Sequence, residues 1–330
     1  MTTTQAPTDV LLTVRDLEVI YTSGKKTVQA VNRVSLDLKK GRTLALVGET
    51  GAGKTTIARS ILGILPDPPA KVLGGEIDLE GTELLGLPEE KMVHVRGGRI
   101  AMIFQDPMTA LNPLMTVGQQ IVEGLRLHTK LSEKDARVRA GEMLELVGIP
   151  ASRLDQYPFE FSGGMKQRVV IAMALACRPD LILADEPTTA LDVTIQAQVL
   201  DLIIELRDSL HTAMLLITHD LGVVAQVAED VAIIYAGRIV EQGTREDIFL
   251  HPTHPYTIGL FAALPSAMDD GGRLRPIPGM PPDPTDLPPG CAFAPRCALA
   301  TDECRVGEIG FVEVAPGHPV RCIHTEEATR

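Results

Sequence analysis

The chain has 330 residues, 45% hydrophobic and 22% charged, with a formal net charge of −12. That leaves room for one large globular domain plus a smaller one, and the acidic balance without a long Lys/Arg run disfavours nucleic acid as a partner. MTTTQAPTDV at the start has neither a basic nor an apolar signal region, and the longest apolar run, Val169 to Cys177, is far short of the ~20 residues a spanning helix needs. A cytoplasmic chain with reduced thiols is expected.

Residues 11 to 47 read as short β segments: LLTVRDLEVIY alternates imperfectly, and KKTVQAVNRVSLDLKKG reads as a strand, a turn and a second strand. TLALV, Thr43 to Val47, reads as a buried strand ending at a glycine. TTIARSILGIL then reads as a helix stopped by the prolines of PDPP at 66 to 69. LSEKDARVRAGEMLELVGI has helical spacing, with Ser132 as its N-cap. VVIAMALA and IQAQVLDLIIELRDSL read as helices, and LILADE and AMLLITHD as apolar strands ending in polar residues. Strands alternating with helices predict an α/β domain with a largely parallel sheet. Seven prolines between Pro276 and Pro289 predict an extended linker to a small terminal module.

GETGAGKTT, Gly48 to Thr56, fits the phosphate-loop pattern G-x-x-x-x-G-K-[ST], with a strand before it and a helix after it. Gly48, Glu49, Thr50, Gly51, Ala52, Gly53, Lys54, Thr55 and Thr56 are its candidate nucleotide-binding residues. Backbone N–H groups surround phosphate oxygens in such a loop, Lys54 reaches the β- and γ-phosphates, and Thr55 ligates Mg²⁺. LILADE supplies the acidic half: Asp185 for Mg²⁺ and Glu186 to polarise the attacking water. FSGGMKQR places Ser162, Gly163 and Gly164 at a helix start, where they form an anion site or, on the simpler reading, a cap.

With these motifs in this order, the chain resembles the ATP-binding subunits of ABC transporters. The resemblance implies an α/β fold: an ABC-type P-loop ATPase with an antiparallel β subdomain, a RecA-like core and a helical subdomain, plus a small Cys-containing C-terminal module. The nucleotide-binding domain is expected at 1–250, its helical part at about 106–160, and the C-terminal extension at 251–330. The resemblance makes Gln105 the glutamine-loop residue and a further Mg²⁺ contact, Asp192 the D-loop aspartate, His219 the switch histidine and Tyr21 the adenine-stacking aromatic. A core tyrosine is the competing reading for Tyr21. Met165 stands where the common signature has glutamine, and the groups that face phosphate survive this change. One phosphate loop and one signature imply a second ABC ATPase subunit, with ATP held between the two.

FQDPMTALNPLMTVGQQI, FSGGMKQRVVIAMALACRPDLILADEPTTALDVTIQAQ and HPTHPYT are similar to the ATPases of dipeptide and oligopeptide importers, most of all to the D-type subunit. That implies a related, non-identical F-type ATPase, two transmembrane permeases, an extracytoplasmic peptide-binding protein, and a peripheral place on the cytoplasmic face of the membrane. The same machine with nickel, glycosides or antimicrobial peptides as cargo is the alternative. A soluble ABC ATPase acting on DNA or ribosomes is disfavoured by the single phosphate loop and by Lys54 and Ser162 lying too close in sequence for a long coiled coil. HPTHPYT itself reads as a structured turn rather than a metal site.

The chain has five cysteines. Cys177 ends an apolar helix and reads as packed core. Cys291, Cys297, Cys304 and Cys322 are spaced as for one tetrathiolate site, without the close Cys pairs usual for zinc. A [4Fe–4S] cluster, a Zn²⁺ ion and no metal at all remain open on spacing alone, and His318 and His324 are near enough to substitute as ligands. Resemblance to peptide-importer ATPases favours the cluster, as a structural staple for a tail poor in secondary structure.

Overall fold

The computed structural model describes residues 9–189, 193–264 and 276–328. Its strands, in chain order, are β1 (Val10–Ser23), β2 (Lys26–Lys39), β3 (Thr43–Val47), β4 (Ala70–Leu79), β5 (Thr82–Glu83), β6 (Ile100–Ile103), β7 (Leu181–Asp185), β8 (Ala213–Thr218), β9 (Asp230–Tyr235), β10 (Arg238–Thr244), β11 (Val312–Ala315) and β12 (His318–Val320). The chain divides into two compact units: Met1–Leu11, Leu38–Thr43 and Gly86–Ile217 form the first, and Leu12–Asp37, Leu44–Leu85 and Thr218–Arg330 the second.

In the first unit β6, β7 and β8 run parallel, in register from Ile100↔Leu181 to Ile103↔Ala184 and from Leu181↔Ala213 to Asp185↔Ile217. Every residue of these strands is buried, which is why they read as unbroken apolar runs and not as alternating ones. Residues 106–160 hold only helices, 3₁₀ turns and loops. The helix Val117–His128 starts at a Thr116–Gln119 capping box, and Glu133–Leu146 starts at Ser132, whose Oγ accepts from the Asp135 N–H at 3.2 Å. These two helices pack on each other, and both pack on Gly163–Leu175.

In the second unit one sheet has the order β2-β1-β4-β5, with β1 and β4 antiparallel from Leu12↔Leu79 to Tyr21↔Ala70. Beside β3, β9 runs parallel from Leu44↔Asp230 to Val47↔Ile233; β10 pairs antiparallel with β9, β12 with β10, and β11 with β12. The stretch expected to be strand, turn and strand is the single strand β2. Within it, Arg33 takes a φ of 51° and the Asn32 N–H donates to the Gly237 carbonyl at 2.8 Å. The helix after the phosphate loop, Lys54–Ile61, also ends before its prolines. Gly63, at φ 60°, donates to Ser60 O, and Ile64 donates to Arg59 O. This left-handed glycine cap stops the helix, so the prolines follow a completed end.

The described part of the proline-rich stretch, 276–289, has no helix or strand, as expected, but it is anchored. Pro284 O accepts from the Gln29 N–H at 3.0 Å, and Ile277 packs so closely on Gly259 that a Cβ there would lie 2.9 Å from it. The terminal module is stitched to the sheet at Glu241↔Val320 and sends Phe293 into a core with Tyr235 and Tyr256. Among the described residues no helix is long and apolar enough to cross a membrane.

HPTHPYT is a turn only over His251 to His254 and is helix from Pro255 on, and a buried carboxyl group organises the turn. Glu241 on β10 is fully buried; its oxygens accept from the Thr253 N–H at 2.7 Å and the His254 N–H at 3.0 Å, and His318 Nε2 lies 2.8 Å away. His254 N-caps the helix Pro255–Ala262: its Nδ1 accepts from the Tyr256 N–H at 3.0 Å, which puts the ring proton on Nε2. Burial, opposed by Glu241, pushes the His254 pKa down to about 4. The folded chain therefore binds fewer protons than the unfolded chain once pH drops below the usual histidine value. Stability on the order of 2–3 kcal/mol should be lost from this group as pH falls from about 6.5 towards 4. His254→Asn keeps a capping acceptor and removes the titration. Denaturant unfolding of both chains between about pH 7 and about pH 4.5 should give the variant the shallower slope.

Candidate functional site

The second unit carries the phosphate loop. It runs from the end of β3 into the helix Lys54–Ile61 and is shaped by what its glycines permit. A Cβ on Gly48 would lie 2.2 Å from Ile234 O, and one on Gly53 would lie 2.2 Å from Ala30 O. Gly53 also takes φ 100° and Gly51 φ 84°, conformations that L side chains rarely adopt. The loop is a cradle that only glycine can form, and it opens onto a helix N-terminus, the arrangement that receives phosphate. Lys54 is buried, and its Nζ donates to Gly48 O at 2.7 Å and Glu49 O at 3.1 Å, spanning the loop from within. Tyr21 is half-buried, so it is not a core tyrosine; its hydroxyl lies 3.3 Å from Thr56 Oγ1, at the loop's C-terminal end.

Residues outside the motif hold this loop. The Glu49 N–H donates to the Tyr256 hydroxyl at 3.0 Å. The Glu49 carboxylate accepts from Arg296 Nη1 at 3.1 and 3.0 Å, and the same nitrogen donates to the Tyr235 hydroxyl at 3.2 Å. Tyr235, Tyr256 and Phe293 form a buried aromatic triangle with centroids 4.6 to 5.5 Å apart. Sequence reasoning missed Arg296, Tyr235 and Tyr256. The only signals were an arginine beside Cys297 and a tyrosine inside HPTHPYT, and neither carries a phosphate-loop pattern. His219, also in this unit, is exposed after β8, before a helix Leu221–Val227 that Asp220 caps through the Gly222 N–H at 2.8 Å.

The first unit carries the acidic and signature residues. Asp185 is buried at the end of β7. Glu186 follows at φ 46°, a left-handed backbone that costs a non-glycine residue on the order of 1–3 kcal/mol. Its Oε2 accepts from Gln105 Nε2 at 3.2 Å and from Thr189 Oγ1 at 3.0 Å, so two donors orient one carboxylate. Thr189 was not foreseen. Ser162 caps the helix Gly163–Leu175 through the Met165 N–H at 3.4 Å. Gly164 leaves no room for a side chain, since a Cβ would meet Ile195 at 2.8 Å, whereas Gly163 faces open space. Met165 is engaged by Arg153 Nη1 at 3.4 Å from its sulfur. Asp192 lies outside the described residues.

The four C-terminal cysteines sit in one module, Cys304 and Cys322 buried and Cys291 and Cys297 half-buried. Burial, reinforced by the charges of the other three thiols, pushes Cys322 up to about 11; burial also raises Cys291 and Cys297. Cys304 adds to the upward shift of all three, and Cys291 is tied to it through its N–H, which donates to the Cys304 carbonyl at 2.8 Å. Among the described residues, no three or more His, Cys, Asp or Glu are grouped to hold a metal ion, so the four cysteines are not preformed as a ligand set, for zinc or for the expected cluster. Cys177 is half-buried, with its sulfur 3.6 Å from Gly124 O.

Residues 31–189 match the ABC transporter family, and residues 240–304 match the C-terminal region of oligopeptide/dipeptide transporters. The chain is 52% identical over 314 residues to the dipeptide transport ATP-binding protein DppD of Bacillus subtilis, covering 94% of each chain. It is 54% identical over 293 residues to the oligopeptide transport ATP-binding protein OppD of the same organism, covering 88% of this chain and 82% of that one. Among solved structures it resembles the ATP-binding cassette MJ0796, a dimer bound to ADP and Pi in a post-hydrolysis state, with TM-score 0.64 and 26% identity over 71% of this chain and 98% of the other. The phosphate cradle, the strand-end carboxylates and the C-terminal extension thus have one common source: the chain belongs to the family of ABC transporter ATP-binding proteins of dipeptide and oligopeptide transport.

Proposed function

We propose that the chain hydrolyses ATP to drive uptake of dipeptides or oligopeptides through a membrane importer. The observation that carries this reading is the glycine-only cradle around buried Lys54, in a chain half identical to peptide-transport ATP-binding proteins along nearly its whole length. In the second unit, backbone N–H groups of Gly48 to Thr56 receive the phosphates, Lys54 neutralises their charge, Thr55 offers its hydroxyl to Mg²⁺, Tyr21 stacks on adenine, and His219 meets the γ-phosphate. In the first unit, Asp185 and Gln105 serve Mg²⁺, which when bound draws charge from the phosphate oxygens. Glu186 takes the proton of the water that attacks the γ-phosphate, its carboxylate held for that task by Gln105 and Thr189. Ser162, Gly163 and Gly164 face the ATP of a second ATPase chain, an F-type relative, and Asp192 lines the same interface.

Two permeases and an extracytoplasmic binding protein complete the importer, with this chain peripheral on the cytoplasmic face. Residues 1–250 form the nucleotide domain, with its helical part at about 106–160 facing the permeases, and 251–330 the extension. The four thiols of that extension are the ligands of a [4Fe–4S] cluster; what supports this reading is that all four are free and fall in one small module, Cys304 and Cys322 buried there.

Glu186→Gln should bind ATP while turnover in the assembled transporter falls on the order of 10²- to 10⁴-fold, with the closed ATPase dimer accumulating. Near-normal turnover removes Glu186 as the base. Purified without oxygen or added metal, the chain should carry about four irons and four acid-labile sulfides, lost in Cys297→Ser. One zinc, or no metal, overturns the cluster and leaves the ATPase reading standing.

A further inference from the structure

The phosphate loop of this unit contains an acidic residue, Glu49, immediately after its first glycine. A fixed carboxylate in a loop that receives a polyphosphate is an electrostatic liability. The structure answers it with a residue 247 positions further along the chain. Arg296 is 5% exposed at its side chain, and its Nη1 bonds both Glu49 oxygens. Its other nitrogens are spent on backbone carbonyls: Nε donates to Pro278 O at 3.0 Å and Nη2 to Ile277 O at 3.4 Å. The guanidinium also lies 5.8 Å from the Tyr235 ring and 5.9 Å from the Phe293 ring, within cation–π range. The backbone of the same residue is held from a second point of the extension, by Tyr256 at the Glu49 N–H.

We infer that Arg296 is a positioning residue for ATP binding. From the C-terminal extension it neutralises and fixes the Glu49 carboxylate, so that the phosphates enter a loop with no uncompensated negative charge. The inference rests on the phosphate-loop reading of Gly48 to Thr56 and deepens it: the extension becomes part of the nucleotide site.

The effect is one of charge, so it should scale with the charge of the ligand. MgATP, MgADP and adenosine are titrated into the full chain and into Arg296→Gln, Glu49→Gln, the double variant and, as a control, Lys54→Ala. Arg296→Gln should weaken ATP binding on the order of tenfold, ADP less, and adenosine not at all. Adding Glu49→Gln to it should recover most of the ATP affinity, because the uncompensated charge is gone. The ATP loss should also shrink at high salt. A loss equal for all three ligands, or one that the double variant does not recover, means that Arg296 only holds the module in place, and it overturns the inference. Unchanged ATP affinity in Arg296→Gln overturns it as well. Lys54→Ala reports on the foundation: wild-type ATP affinity in that variant removes the phosphate-loop reading, and the inference with it, whereas lost affinity there with no effect of Arg296→Gln removes the inference alone.

Discussion

A single buried carboxyl group underlies the C-terminal half of the second unit. Glu241 is completely enclosed, and burying such a group unpaired costs several kcal/mol. Its partners come from two places in the sequence: two N–H groups of the HPTHPYT turn and the ring of His318 at the start of β12. Meeting the needs of Glu241 therefore fixes the turn against β10 and brings the last strand to the sheet edge. The turn in turn starts the helix that carries Tyr256, and Tyr256 holds the second residue of the phosphate loop. A local requirement for hydrogen bonds thus extends to the site where nucleotide binds.

The loop is rigid for a different reason. Its shape leaves no space for side chains at Gly48 and Gly53, so the backbone touches β9 and β2 directly. Packing of this kind has no soft degree of freedom, since any widening opens a void against Ile234 or Ala30. Lys54 closes the loop from inside, and Arg296 and Tyr256 close it from outside. In the other unit the strained backbone of Glu186 serves the same end: it turns the carboxylate off the end of β7 to where Gln105 and Thr189 can both donate to it. In each unit a left-handed backbone sets the position of a charged side chain, unstrained at the glycines before Lys54 and strained at Glu186.

The sequence disclosed what depends on local pattern. The buried parallel strands β3, β7 and β8 were legible because they are unbroken apolar runs, and the helix 133–146 because Ser132 caps it. The phosphate loop was legible because its glycines are obligatory. Two readings failed where the sequence pointed to the wrong local cause. Residues 25–41 read as two strands joined by a turn, but they hold the single strand β2, which continues through the left-handed backbone of Arg33. PDPP looks like a helix stop, but Gly63 has already ended the helix. The Arg296–Glu49 pair was beyond sequence reasoning altogether: nothing in either segment marks the other, and only the fold closes the distance.

The cysteine module shows why a staple and a core need not be alternatives. The sequence offers a tail with many prolines and four thiols, which argues that a cluster supplies the missing folding energy. Yet Phe293 and Val320 are almost fully buried, and Phe293 completes the aromatic triangle with Tyr235 and Tyr256. A buried phenylalanine of this kind contributes on the order of 1.5–3 kcal/mol by transfer alone, before its edge-on ring contact. Apolar packing thus sets where the module sits, and it does so through the residues that hold the phosphate loop. Arg296 lies three residues after Phe293 in the sequence, so the packing of that ring also sets where the guanidinium meets Glu49.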